Sequence, residues 1–328
     1  MAKKRILSGM RPTGPLHLGN LHGALSNWKK MQDEYDCFFF IADWHALTSD
    51  YERTENIRAF ITEMMIDWLS VGLDPKKSTL FVQSHIREHA ELFLLLSMLV
   101  PVPWLERNPT YKEQQDNIAD RDLSTFGFLG YPVLQAADII MYLADGVPVG
   151  VDQVPHVEIT REIVRRFNNF YGNVFVEPQA ILTETPKILG LDRRKMSKSY
   201  GNAIFLSDPP DAVRKRVMEM VTDPARMRKS DPGDPDICNV YSFHKMYSPS
   251  DMVERLNSEC RKAEIGCVQC KKLMAENLLT GLVPIHEKRR YYEAHKDEIA
   301  DIIADGDTRA RTVAQATMEK ARAAMKIA

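Results

Sequence analysis

The segment Cys37-Phe38-Phe39-Phe40-Ile41-Ala42 limits the possible folds more than any other part of the chain. It is an unbroken apolar run with no polar face to give to water. A strand of that kind belongs in a parallel sheet covered by helices on both sides, because an antiparallel strand with one wet face would alternate. The neighbouring pattern agrees. Short strand patterns at 5–8 (ended by Gly9), 79–82 and 147–149 are separated by helical patterns at 18–35, 56–71, 131–143 and 152–171. The alternation predicts an α/β fold on a mostly parallel sheet, with ligands at the C-terminal ends of the strands.

Beyond about residue 208 the strand pattern disappears. Helical patterns occupy 210–221, 250–263, 270–295 and 308–326, and the Asp-, Pro- and Arg-rich stretch 223–236 reads as a loop. The change divides the chain into residues 1–204 and 205–328, in keeping with roughly two domains for 328 residues. A hydrophobic content of 44% excludes a mainly disordered chain. With 43 Lys and Arg against 45 Asp and Glu, the net charge is −2, so any nucleic acid must be bound by a local basic face. The apolar run 92–105 is interrupted by Ser97, Pro101 and Pro103 and is shorter than the roughly 18 residues of a membrane span. It is a candidate homodimer interface, with buried core as the competing use. Lys3-Lys4-Arg5 leads into only two apolar residues before Ser8-Gly9, so no signal peptide and a cytoplasmic location are expected.

Three features carry chemistry. Pro12-Thr13-Gly14-Pro15-Leu16-His17-Leu18-Gly19-Asn20 follows the first strand and opens the first helix, where free backbone N–H groups and the helix dipole suit a phosphate. Lys195-Met196-Ser197-Lys198-Ser199 sets two lysines three residues apart with hydroxyls beside them, a composition able to wrap a triphosphate or to serve as a solvated basic loop. On the helix 131–143, Tyr131, Gln135, Asp138 and Tyr142 form one polar stripe among apolar residues. The stripe could face solvent, or it could hold a buried carboxylate that needs donors.

Five cysteines complete the inventory. Cys37 reads as a small core hydrophobe. Cys238, Cys260, Cys267 and Cys270 form a C-x21-C-x6-C-x2-C array, which in a cytoplasmic protein points to metal before disulfide. Four thiolates suit tetrahedral Zn2+ or a [4Fe–4S] cluster, and the spacing does not choose between them.

Taken together, HLGN at 17–20 and KMSKS at 195–199 resemble the HIGH and KMSKS signatures of class I aminoacyl-tRNA synthetases. KMSKS matches intact, whereas Leu18 and Asn20 depart from HIGH. Within the class, the chain resembles the bacterial tryptophanyl-tRNA synthetases along nearly its whole length. The likeness rests on SGMRPTG at 8–14, ADWHALT at 42–48, YPVLQAAD at 131–138 and VPVGVDQ at 147–153. Arg11 and Gln135 stand where many of those relatives have Gln and Met.

The resemblance implies a Rossmann-like catalytic domain over 1–204 and an α-helical anticodon-binding domain over 205–328. It implies activation of L-tryptophan by ATP with Mg2+, transfer to tRNA(Trp), and a homodimer. By the same resemblance, His17, Lys195, Lys198 and Lys112 serve catalysis. Arg11, Pro12, Thr13, Gly19, Asn20, Gly150, Val151, Asp152 and Ile188 join His17 and Lys195, Met196, Ser197, Lys198 and Ser199 around ATP. Leu7, His45, Tyr131, Gln135, Asp138, Val147, Val149 and Gln153 surround tryptophan, with Asp138 accepting the indole N–H and Tyr131 and Gln153 holding the α-amino group. Some relatives carry a [4Fe–4S] cluster on a cysteine array whose first interval is one residue longer, which puts iron–sulfur ahead of zinc here. Arg261, Lys262, Lys271, Lys272, Lys288, Arg289 and Arg290 flank the array as a phosphate-contacting face or as ordinary solvated helix surface.

Tyrosyl-tRNA synthetases share the Tyr/Gln/Asp helix, but they place a tyrosine about where Leu7 stands, and Gly150-Val151-Asp152-Gln153 favours the tryptophan branch. Two other readings are a tryptophan-binding regulatory paralogue without aminoacylation and an unrelated nucleotidyltransferase.

Overall fold

The computed structural model describes residues 3–108, 111, 122–183 and 188–327. Lys112 and the side chain of Asp152 lie outside the described residues. The chain forms two compact units, one of Met1–Gly14, Asn27–Glu184 and His295–Ala328, the other of Pro15–Ser26 and Thr185–Ala294. They do not follow chain order, so they are a separate division from the partition into 1–204 and 205–328 expected from the sequence.

The first unit holds a five-stranded parallel sheet in the order β3-β2-β1-β4-β5. Its strands are β1 (Arg5–Met10), β2 (Asp36–Ile41), β3 (Ser78–Val82), β4 (Gly146–Val149) and β5 (Gln179–Leu182). The apolar run that opened the sequence argument is β2, paired with β1 on one side and β3 on the other. Its side chains alternate between two covered faces. Phe39 stacks on Trp28 at 4.5 Å, and Phe38 and Phe40 meet Tyr142 and Phe81 on the other side. Burying both faces is why no polar residue interrupts the run.

Several elements differ from expectation. β1 continues past Gly9, because Gly9 and Met10 stay paired with Phe40 and Ile41. The helix pattern at 18–35 becomes an α-turn Leu18–Asn20, a π-turn Leu21–Leu25 and a helix Ser26–Met31. β5 carried no strand signal, being a short, partly exposed edge strand. Helices Asp43–Asp50, Glu88–Ser97 and Asn239–Tyr247 were also not anticipated. The run 92–105 is two elements, helix Glu88–Ser97 and a short helix Val102–Glu106 after Pro101. Leu92, Leu96 and Leu105 go into the core, while Leu94, Met98 and Val102 remain exposed.

The final helix, Lys296–Met325, starts well before residue 308 and belongs to the sheet-bearing unit. The Asp305-Gly306-Asp307 run looked like a break. Instead, Gly306 is where the helix comes so close to edge strand β3 that a Cβ would run into the Leu80 carbonyl. Ala310, Ala314, Met318 and Ala321 are buried in the same core. Arg309 donates to the carbonyls of Pro75 (2.8 Å) and Ser78 (3.2 Å).

The second unit has helices Pro210–Glu219, Asn239–Tyr247, Ser250–Arg261 and Cys267–Ala294. Tyr241, Leu256 and Ile265 form a small core against which Cys238, Cys260 and Cys270 pack. Among the described residues, no helix is long and apolar enough to cross a membrane.

Candidate active site

In the second unit, the two signature segments come together. The backbone of Leu16–Leu18 runs antiparallel to 204–206, with Leu18 N–H donating to Ile204 O (3.0 Å) and Leu206 N–H to Leu16 O (2.9 Å). The His17 ring lies so close to Gly19 that a Cβ there would stand 2.9 Å from the imidazole and 3.6 Å from the Met196 Cβ. Only glycine leaves that space open. Asn20 closes the turn by accepting the His17 backbone N–H at 3.0 Å. The imidazole is pushed down to about 4 by burial and by the charge of Lys198, so it is neutral at ordinary pH. Its Nδ1 is buried without a hydrogen-bond partner. A buried unpaired nitrogen costs about 1–3 kcal/mol, which a bound acceptor would recover.

The KMSKS segment is pinned at its base. Ile188–Met196 is a tight hairpin in which the Met196 N–H donates to Ile188 O (2.9 Å). Asn202 ties the far end: its Oδ1 accepts from Ser197 N–H (2.8 Å), and its Nδ2 donates to Asp192 Oδ1 (2.7 Å) and Lys195 O (3.3 Å). Met196 is buried, whereas Lys195 and Ser199 are exposed and Lys198 is half-buried. The Ser197 and Ser199 hydroxyls share a hydrogen bond of 2.8 Å.

In the first unit, the polar stripe turns inward. Asp138 has no exposed surface. Gln83 Nε2 donates to both carboxylate oxygens (2.8 and 2.9 Å), His45 Nε2 meets Oδ2 (2.8 Å) and His89 Nδ1 meets Oδ1 (2.6 Å). Burial alone would push this carboxyl up, but the hydrogen bonds from His45 and His89 outweigh it and hold Asp138 below the ordinary aspartate value. Three donor nitrogens make four contacts, two on each carboxylate oxygen, with the Gln83 donor shared between them. Gln83 also fixes the turn after β2, its Oε1 accepting from Trp44 N–H (3.1 Å) and His45 N–H (3.4 Å).

His156, on the helix Val154–Tyr171, links one residue of the stripe, Tyr131, to the turn after β4. Its Nε2 is 2.9 Å from the Tyr131 hydroxyl and its Nδ1 is 3.0 Å from Gln153 Oε1. Asn108 Nδ2 also reaches the Tyr131 hydroxyl, at 3.3 Å.

A family model described as tRNA synthetases class I (W and Y) matches residues 2–283. Tryptophan–tRNA ligases of Thermotoga maritima and Aquifex aeolicus are 51% and 46% identical to the chain. Each alignment spans 98% of this chain, and they span 99% and 100% of those relatives. A tryptophanyl-tRNA synthetase from Campylobacter jejuni, complexed with ADP and tryptophan, aligns with a TM-score of 0.91 at 32% identity over 98% of this chain and 99% of that one. The chain belongs to the class I tRNA synthetases of the tryptophan and tyrosine branch. A tyrosyl-tRNA synthetase from Archaeoglobus fulgidus shares the fold at a TM-score of 0.66 and 20% identity.

The turn Val151–Gln153 follows β4 directly, with Gly150 half-buried and Val151 exposed. Leu7, Val147 and Val149 are buried, and Gln135 is half-buried on its helix. Pro12 is buried, Thr13 is exposed, and Arg11 reaches the Ser49 hydroxyl at 3.3 Å. The solvent-facing reading of the stripe is excluded at Asp138. Gln83, His89, His156 and Asn202 were not singled out for these roles by the sequence. Their signal is a contact across elements far apart in the chain, except for Asn202, whose closeness to KMSKS suggested loop mobility rather than a brace.

Two of the four cysteines face one cationic side chain. The Arg226 guanidinium approaches Cys260 Sγ at 3.7 Å and Cys267 Sγ at 3.9 Å. His244 Nε2 is 3.4 Å from Cys270 Sγ. Burial first, then the neighbouring Cys238, Cys260 and Cys267, push the Cys270 thiol up to about 12. Among the described residues, no group of three or more His, Cys, Asp or Glu side chains is gathered so as to hold a metal ion.

Proposed function

We infer that the chain is a tryptophan–tRNA ligase, which activates L-tryptophan with ATP and transfers it to tRNA(Trp). The observation that carries the reading is the joining of HLGN to KMSKS, where a neutral, unpaired His17 ring nitrogen lies within the electrostatic reach of Lys198. The whole-length likeness to tryptophan–tRNA ligases supplies the substrate. The α-carboxylate of tryptophan is already a nucleophile, so its attack on the α-phosphorus of ATP needs no general base. Pyrophosphate leaves and tryptophanyl-adenylate forms. The terminal ribose hydroxyl of tRNA then attacks the acyl carbon, and AMP leaves.

The rate comes from positioning and charge stabilisation. His17 donates to phosphate oxygen as a neutral group, and Lys195 and Lys198, with Lys112, draw off the charge of the leaving pyrophosphate. Pro12, Thr13, Gly19, Gly150 and Asp152 line the nucleotide, with Ile188 beside the base. Asp192, the acidic side chain beside KMSKS, is already engaged by Arg194 (2.6 Å) and Asn202. Mg2+ brought in with ATP would supply further neutralisation of the phosphate charge, alongside Lys195 and Lys198. Asp138 accepts the indole N–H, for which the Gln83 donor shared between its two oxygens yields one of its contacts, while Tyr131 and Gln153, joined by His156, hold the α-amino group. A pocket built around that N–H rejects side chains without it by roughly 10⁴-fold without editing.

In the same reading, residues 205–328 contact the anticodon region, the enzyme is a cytoplasmic homodimer, and the exposed Leu94, Met98 and Val102 belong to its interface. Cys238, Cys260, Cys267 and Cys270 hold a [4Fe–4S] cluster, with Zn2+ as the second choice. What supports the cluster is the donor set: four thiols coupled electrostatically, three of them packed on Tyr241, Leu256 and Ile265, with Arg226 placed to offset negative charge. The cluster would brace the segment chemically and leave the aminoacylation steps untouched.

Acid-precipitable charging of tRNA(Trp) with labelled tryptophan tests the function. Charging by the wild type and its loss in Lys195→Ala is the expected result. Failure of the wild type to charge would overturn the reading, and full activity in Lys195→Ala would remove Lys195 from the mechanism.

A further inference from the structure

Asp138 has one partner that the reaction itself does not call for. His89 is completely buried, and its two ring nitrogens are both engaged, Nδ1 with Asp138 Oδ1 at 2.6 Å and Nε2 with the Tyr142 hydroxyl at 2.7 Å. An ionised carboxylate can only accept, so Nδ1 carries the proton. Nε2 is then left to the Tyr142 hydroxyl, which can donate to it or accept from it. Tyr142 is itself fully buried, and burial ahead of the Asp138 charge pushes its ionisation well above the ordinary tyrosine value, so it keeps its proton.

The result is a continuous chain of hydrogen bonds from the Tyr142 hydroxyl through His89 to Asp138. Asp138 and Tyr142 lie four residues apart on one helix, and His89 spans them from the opposite helix Glu88–Ser97. The imidazole has little room to turn. Its ring centroid is 5.4 Å from Tyr142 and 6.3 Å from both Phe40 and Phe81. His45, by contrast, keeps 12% of its side chain exposed.

We propose that His89, locked by Tyr142, is a positioning residue that holds Asp138 as an ionised and fixed acceptor for the ring N–H of the amino-acid substrate. This rests on the tryptophan reading given above and assigns the part of the site that keeps the acceptor aimed. Removing the Tyr142 hydroxyl frees the His89 ring to shift. Removing the His89 donor withdraws one of the three nitrogens that keep Asp138 charged without solvent. Either change weakens recognition of the indole N–H and leaves the ATP half-site alone.

The test is ATP–pyrophosphate exchange by the full-length enzyme, with tryptophan, tyrosine and phenylalanine as separate substrates, for wild type, Tyr142→Phe, His89→Ala and His89→Asn. The Asn side chain places an amide N–H about where Nδ1 stands. One lost buried hydrogen bond predicts that Tyr142→Phe raises the KM for tryptophan by about 5- to 10-fold, with the KM for ATP within about 2-fold. His89→Ala raises it further and narrows discrimination against phenylalanine, and His89→Asn restores most of the loss. Should His89→Ala not fold, Tyr142→Phe, which removes a single oxygen, decides the matter. Equal rises in both KM values, or unchanged tryptophan constants in Tyr142→Phe, would overturn the proposal. A wild type that exchanges with tyrosine rather than tryptophan would overturn the underlying reading instead.

Discussion

His17 shows how burial sets chemistry at the scale of one residue. Its folded value of about 4 lies below the ordinary 6.5, so between these two values the unfolded chain binds the proton more readily. The His17 contribution to stability is therefore complete above about pH 6.5 and is lost as pH falls toward 4. An NMR titration of the His17 ring should show it neutral at pH 6, and a midpoint near 6.5 would contradict the account. Asn202 makes a second residue-scale prediction. Asn202→Ala removes three hydrogen bonds at the base of KMSKS and should raise the KM for ATP by about 10-fold in pyrophosphate exchange, with the KM for tryptophan nearly unchanged. A rise confined to tryptophan would refute it. These two residues also mark a limit of sequence reading. KMSKS and His17 are legible because a motif lies in consecutive residues, but the neutrality of His17 depends on burial and on Lys198, and the grip of Asn202 on Asp192 depends on how the hairpin folds back.

Among the elements, β2 was legible because a strand buried on both faces leaves an uninterrupted apolar run. β5 and the Glu88–Ser97 helix were not, the first being short and partly exposed, the second sharing with the helix Val102–Glu106 an apolar run, 92–105, without a clear helical period. The last helix was misplaced at its start because Asp305-Gly306-Asp307 has the composition of a turn. There, contact with edge strand β3 overrides local propensity. Asp307 accepts the Val82 N–H (3.1 Å) and pairs with His85 Nδ1 (2.6 Å), bracing the turn that presents Gln83 to Asp138. Gly306→Ala should therefore cost about 1–3 kcal/mol by overpacking, far more than the helix propensity it would gain. Thermal melting would check the sign, since a stabilised variant would show that the helix can retreat from β3 at no cost.

For the whole molecule, the near-neutral total charge hides the basic residues around the cysteine array. The array itself makes the sharpest chemical prediction at this scale. Protein purified without oxygen should be brown, absorb broadly near 400 nm and contain about four irons per chain. A colourless protein with one zinc would replace the cluster by the second choice, and a metal-free protein of full stability would remove the metal altogether. The fold class and the two signature segments could be read from the sequence, whereas the fit of His89, Gln83 and His156 around the pocket required the fold, because each acts on a residue distant in the chain.

The central claim is that this pocket activates tryptophan. The most direct measurement is ATP–pyrophosphate exchange by the wild-type chain with tryptophan and tyrosine compared side by side. The account predicts exchange that depends on tryptophan, with tyrosine lower by roughly 10⁴-fold in kcat/KM. Exchange that is equal for the two, or that favours tyrosine, would contradict it.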